Sequence, residues 1–182
     1  MAATLILTTG CGDMFENPYQ NTDPERTAEA AEQLTKLPTL EETEIHVEAA
    51  VNELADYVST LVSGLTWEWA NNRENESCDR PYDQTQGSKV KLKNRISHPA
   101  IPDAVWPQVL DRARQLAEGI GATGVEVFAD EPGNHVVRFY SLEGTELFVG
   151  SRGAVIGSNT GCRLPAAIEG AGPTTPPSRP PR

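Results

Sequence analysis

Between Lys89 and Ile96 the chain reads Lys-Val-Lys-Leu-Lys-Asn-Arg-Ile, and this near-perfect alternation excludes more folds than any other stretch. Successive side chains of a strand point to opposite faces, so Val90, Leu92 and Ile96 are expected inward while Lys89, Lys91, Lys93 and Arg95 face water. A strand solvated on one face belongs by preference to an antiparallel sheet, whereas the strands of a doubly wound α/β fold are apolar on both faces. Alternation recurs at Thr66–Trp69, where it sets both indoles on one face. It returns at Val125–Phe128, Val136–Tyr140, Glu146–Val149 and Ala154–Ile156, which read as a meander with a turn at Glu131-Pro132-Gly133-Asn134.

Two helices complete the pattern. Thr39-Leu40-Glu41-Glu42 fits a capping box, in which the threonine caps the helix and Glu42 reaches back to the cap amide. Val47, Val51, Leu54, Val58, Leu61 and Leu65 follow at spacings of four and three, one continuous apolar stripe with Ser63-Gly64 as its stop. A second helix is expected from Asp103 to Glu118, with Pro107 in its first turn and Gly119 or Gly121 ending it. The expected fold class is α+β: an antiparallel sheet of about five to six strands with two main helices packed on one face, spanning residues 39–165.

Upstream, Leu7-Thr8-Thr9-Gly10-Cys11 has the form of a lipobox, the site at which an exported chain is cut and its cysteine lipidated. It departs from the usual pattern in carrying Thr8 where leucine is commonest and in having no Lys or Arg before Cys11. The apolar opening is also shorter than the roughly 7 to 15 residues of a signal h-region, so the native start is expected to lie upstream of Met1. Residues 1–10 are thus read as an incomplete signal peptide, Cys11 as the lipidation site and 11–38 as an acidic tether. Within the tether a short helix, Pro24 to Leu34, is seeded by Asp23, with little apolar face. From Asp13 to Glu48 ten acidic residues stand against Arg26 and Lys36, a self-repelling run suited to a spacer. At the other end, five prolines fall among the residues from Ala171 to Arg182, so 166–182 is expected to be a tail unable to pack.

The net charge of -11, from 26 acidic and 15 basic residues, excludes the usual nucleic-acid binder, whose affinity comes from neutralising phosphates. No stretch approaches the roughly 20 apolar residues of a spanning helix, so any membrane attachment is expected to be covalent or peripheral. Three cysteines are an odd number for an exported protein. With Cys11 lipidated, Cys78 and Cys162 remain as an even pair suited to one disulfide outside the membrane; the alternative is two buried thiols in a reducing compartment.

Chemistry-bearing motifs are sparse. His46, His98 and His135 stand apart from one another, none in an HExxH or CxxC spacing, and each reads as a surface residue. Ser151-Arg152-Gly153 and Gly157-Ser158-Asn159 lack the nucleophile elbow, and no phosphate-cradling glycine loop occurs. No catalytic residue, metal ligand or cofactor is assigned. Lys89, Lys91, Lys93 and Arg95 form a linear positive row that could hold an anionic polymer, phosphate or lipid headgroup; the plainer reading is a solvated strand face. Trp67 and Trp69 could offer a platform for a sugar or apolar ligand, but indoles beneath the long helix read first as core.

The order of these parts resembles the LppA-like lipoproteins of mycobacteria. The likeness is carried by the lipobox with its acidic tether, Gly64-Leu65-Thr66-Trp67 at the end of a helix, and Cys78 after an Asn-rich stretch. It continues through Leu110-Asp111-Arg112-Ala113-Arg114, Gly121-Ala122-Thr123, Thr160-Gly161-Cys162 and a Pro/Thr-rich tail, over about residues 40 to 165. The resemblance implies an envelope-anchored α+β domain with a cysteine pair, and it brings no reaction with it. The reading is then a non-enzymatic lipoprotein on the extracytoplasmic face of the cell membrane, held by its lipid and binding an envelope protein or anionic envelope component. A phage- or prophage-encoded lipoprotein that excludes competing phage and an envelope-acting hydrolase are the two alternatives.

Overall fold

The computed structural model describes residues 20–169. The expected signal peptide, the lipidation site Cys11 and the tail from residue 170 onward lie outside the described residues.

The element order is α1 (Pro24–Leu34), α2 (Leu40–Leu61), β1 (Glu68–Ala70), β2 (Glu74–Ser77), β3 (Ser88–Lys91), β4 (Asn94–Ile96), α3 (Trp106–Gly119), β5 (Gly124–Glu131), β6 (Asn134–Tyr140), β7 (Thr145–Gly150), β8 (Val155–Thr160) and the single turn α4 (Ala166–Glu169). All strands join one antiparallel sheet in the order β1-β4-β8-β7-β6-β5, with β3 also beside β8 and β2 beside β3. Helices α2 and α3 cover one face. Val51, Leu54 and Val58 of α2 and Val109, Ala113 and Ala117 of α3 close over Val137, Phe139, Leu147, Val149 and Ile156 of the sheet. The fold is α+β, as the half-solvated strands require.

Eight strands replace the expected five to six, for two local reasons. Strand β2, Glu-Asn-Glu-Ser, has no apolar residue to signal it; it lies at the sheet margin, where Glu74 is registered with Lys91 and Glu76 with Lys89, opposite charges across the ladder. The single strand expected over 89–96 is broken in two. Lys91 is registered with Asn159, yet Arg95, four residues on, is registered with Ile156, only three residues back along β8. The extra residue between them acts as a bulge and reverses which face the later side chains occupy.

The caps form as the sequence specifies. Asp23 accepts from the amides of Glu25 and Arg26 at the start of α1, and the Thr39–Glu42 capping box closes in both directions at the start of α2. Helix α3, expected from Asp103, begins instead at Trp106 with no side-chain cap. Asp103 is engaged elsewhere, accepting from the Gly133 amide at 2.8 Å.

Helix α1 lies inside the stretch expected to be tether, and it is docked. Ala30 and Leu34 pack with Tyr82, Leu164 and the Cys78–Cys162 pair, and Leu34 is 1% exposed. The Tyr82 hydroxyl donates to Gln33 at 3.0 Å, and the Thr22 amide to Asp83 at 3.2 Å. One alanine and one leucine make a narrow stripe that reads as polar, yet it is wide enough to seat the helix in a second, small core.

Candidate functional site

The bulge between β3 and β4 decides what becomes of the four-cation row. Lys89 and Lys91 stay on the sheet face that no helix covers. Lys89 pairs with Asp79 at 2.6 Å and Glu76 at 3.6 Å. Burial works against its ammonium, but the two carboxylates outweigh it and hold its pKa above the ordinary lysine value. Lys91 lies near Glu76, Asn94, Glu146, Phe148 and Gly157. Burial raises the Glu146 carboxyl above the usual range against the pull of Arg138, which also pairs with Glu126.

Lys93 and Arg95 face the other way, toward α2. A linear face of four cations therefore does not form. Instead Lys93 joins Glu44, Glu48, Val51, Trp69, Arg73 and Leu92 around a cleft of about 200 Å³ between α2 and β1–β4. Its floor is apolar, built from Val51 and Leu92, both buried. One wall is fixed: Arg73 grips Glu44 through Nε and Nη2, the second bond 2.7 Å long, and the bond to Glu44 raises the Arg73 pKa. The Trp69 indole, which is 44% exposed, also lines the cleft. The Arg95 guanidinium lies 4.1 Å from the ring centroid, with Nη2 donating to Asn52 of α2 at 3.0 Å. The indole is thus braced on one face. Among the described residues Lys93 and Glu48 make no ion pair.

The two tryptophans, alike in sequence, have separate roles. Trp67 belongs to the core edge: its Nε1 donates to the Ala55 carbonyl at 3.1 Å and to Ser59 Oγ at 2.9 Å. Trp69, two residues on, projects beyond the helix into the cleft. Alternation put both on the helix side, but only the helix's position decides which is covered.

Cys78 and Cys162 stand in disulfide geometry, Cα atoms 5.4 Å apart, buried beneath Leu34 and against Gly87. The pair joins the residue after β2 to the second residue after β8 and packs against Ala30 and Leu34 of α1.

Of the histidines, His98 is exposed and His46 lines a shallow groove with Arg163 and Glu143. His135 is not the surface residue expected, for its side chain is only 12% exposed. Its Nδ1 lies 2.8 Å from Asp130, its Nε2 3.0 Å from Asp103, and its ring stacks on Trp106 with centroids 5.0 Å apart. The Gly133 amide and, secondarily, His135 hold the Asp103 carboxyl below its usual pKa. Both ring nitrogens are turned to carboxylates, so neither is presented to an open site where a substrate or metal ion would sit. Ser151 Oγ accepts from the His135 backbone amide at 2.8 Å and not from the ring, so the pair is no nucleophile and base. The cluster ties the β5–β6 hairpin to the loop before α3. Its partners come from three chain segments, so no sequence spacing could have announced it.

Among the described residues no cluster of three His, Cys, Asp or Glu is placed to hold a metal, and no helix is long and apolar enough to cross a membrane. The cleft's acids do not make a hydrolytic pair either. Glu44 is committed to Arg73 through both oxygens, which leaves Glu48 alone where glycoside hydrolysis uses two carboxyl groups.

Comparison with known proteins gives one family. The model of the LppA family, described as a lipoprotein confined to pathogenic Mycobacterium, matches residues 15–166. The crystal structure of the lipoprotein LppA from Mycobacterium tuberculosis aligns with a TM-score of 0.64 at 14% identity, covering 81% of this chain and 91% of that one. At that identity the structural match establishes the shared fold alone. No curated protein is a detectable relative. The match to the family model spans most of the sequence, including the helices and strands that build the cleft: the chain belongs to the LppA family of lipoproteins.

Proposed function

We propose that this LppA-family protein is held on the outer face of the cell membrane by a lipid on Cys11, and that its α+β domain binds a ligand without transforming it. Family membership supports the placement in the envelope. The polar, acidic stretch between Cys11 and Pro24 supports a spacer between lipid and domain, shorter than the sequence alone suggested because α1 is docked. The observation that carries the binding role is the cleft beside Trp69. There a braced aromatic, a fixed ion pair and two unpaired charges converge, with no nucleophile or second free acid to act on what enters.

The test is fractionation in a mycobacterial host, with the chain from Cys11 onward expressed behind a mycobacterial lipoprotein signal peptide. Wild type is expected in the membrane pellet and accessible to protease on intact cells, while Cys11→Ala is expected to leave the pellet. Equal partitioning of the two forms would refute lipid anchoring, and protection of wild type from external protease would refute the outward face.

A further inference from the structure

We propose that the cleft beside Trp69 is a carbohydrate subsite, receiving one neutral sugar ring of an envelope glycan. The inference rests on the binding role above and names its ligand class.

The argument begins from charge. Glu44 and Arg73 cancel one another, and Glu48 and Lys93 are one acid and one base, so the cleft lining is neutral overall. An anionic headgroup would meet Glu48 beside the Glu44–Arg73 pair, and a cationic one would meet Lys93 and Arg73 beside the single indole, without the several aromatic faces of a cation cage. A wholly apolar ligand would strip water from Glu48 and Lys93 without replacing its hydrogen bonds.

A pyranose satisfies all of these groups at once. One of its faces is a patch of C–H groups that packs flat on an aromatic ring, while its hydroxyls, set around the rim, both donate and accept. Trp69 offers such a surface: the indole lines the cleft and is 44% exposed, while the Arg95 guanidinium 4.1 Å from its centroid braces the ring. Glu48 can accept from hydroxyls and Lys93 can donate to them, both as charge-assisted bonds. Size agrees, since about 200 Å³ is below the roughly 300 to 1,000 Å³ of sites for drug-sized ligands and suits a single ring. The site is also prepared in advance. The indole is braced by Arg95, Arg95 is tied to Asn52, and Arg73 is locked to Glu44, so the side chains that must gain order on binding are Glu48 and Lys93.

The experiment uses the full chain carrying Cys11→Ala, isotope-labelled, with the indole N–H signals of its three tryptophans as reporters. Maltotetraose, cellotetraose, mannotetraose and chitotetraose are titrated in turn, with sorbitol, inorganic phosphate and choline as controls. At least one oligosaccharide is expected to shift the Trp69 signal saturably while Trp67, bonded to Ala55 and Ser59, stays in place. Trp69→Ala is expected to weaken that binding by roughly 10-fold or more, and Glu48→Gln or Lys93→Met by several-fold, with thermal melting unchanged. The proposal is overturned if no oligosaccharide gives a saturable shift, if binding survives Trp69→Ala undiminished, or if phosphate or choline shifts Trp69 and the sugars do not. Failure here leaves lipid anchoring intact, and failure of anchoring leaves this titration unaffected, so the two ideas fail separately.

Discussion

Breaking the Cys78–Cys162 bridge should destabilise the domain in two distinguishable ways. The bridged residues are 84 apart in sequence, and closing a loop of that length restricts the unfolded chain by about 4 to 5 kcal/mol in the loop-entropy account. Against a total stability of about 5 to 15 kcal/mol for a domain, this is about a quarter or more. Replacing both cysteines with alanine also removes two buried sulfur atoms. Leu34 and Gly87 pack so closely on Cys162 that a Cβ on Gly87 would collide with its sulfur, and the void left should add about 1 kcal/mol. Comparing oxidised wild type, reduced wild type and the double alanine variant in guanidinium unfolding separates the two contributions, because reduction retains the sulfur atoms. Helix α1 should loosen first. It has 11 residues and buries only Ala30 and Leu34, both against the cysteine cluster, so it has little stability of its own. Hydrogen exchange over residues 24–34 is therefore expected to accelerate on reduction before the sheet responds. A loss on reduction below about 1 kcal/mol, with α1 exchange unchanged, would refute this reasoning about both the bridge and the docked helix.

Three further outcomes follow from particular residues. Thr39→Ala removes the capping box of α2 and should cost about 1 kcal/mol, read as a lower midpoint of thermal melting. Gly161→Ala should be far worse than Gly153→Ala: Gly161 has φ +66° and a Cβ there would strike the backbone of Gly144 and Thr145, whereas at Gly153 it meets nothing, a contrast measurable by urea unfolding. Asp103 has a folded pKa below its unfolded value, so its contribution to stability is complete above the ordinary carboxylate range and disappears as pH falls through the folded value. The stability difference between wild type and Asp103→Asn should accordingly shrink as unfolding is followed from about pH 6 down to about pH 2.

Much of the fold is legible in the sequence where local chemistry decides it. Asp23-Pro24 and Thr39-Leu40-Glu41-Glu42 specify their helix starts because caps are satisfied within three residues of chain, and the meander from Val125 to Ile156 is written in alternation. What is not legible depends on partners distant in sequence. Strand β2 exists because Lys89 and Lys91 face its glutamates, not because Glu-Asn-Glu-Ser favours a strand. The start of α3 moved because Asp103 serves Gly133 and His135, some 30 residues away. The cleft shows the same division. Trp69, Lys93 and Arg95 could all be singled out, but alternation assigned the cations to one solvated row; the extra residue after Lys91 turned Lys93 and Arg95 toward α2, where Glu44 and Glu48 wait.

The central claim, an LppA-family domain held by Cys11 with its other two cysteines joined, is tested most directly by mass analysis of the protein purified from mycobacterial membranes without reductant. The account predicts a chain beginning at Cys11, carrying a diacylglyceryl mass on that residue, with Cys78 and Cys162 in one linked peptide and no free thiol. An unmodified Cys11, or free thiols at Cys78 and Cys162 in the exported protein, would contradict it.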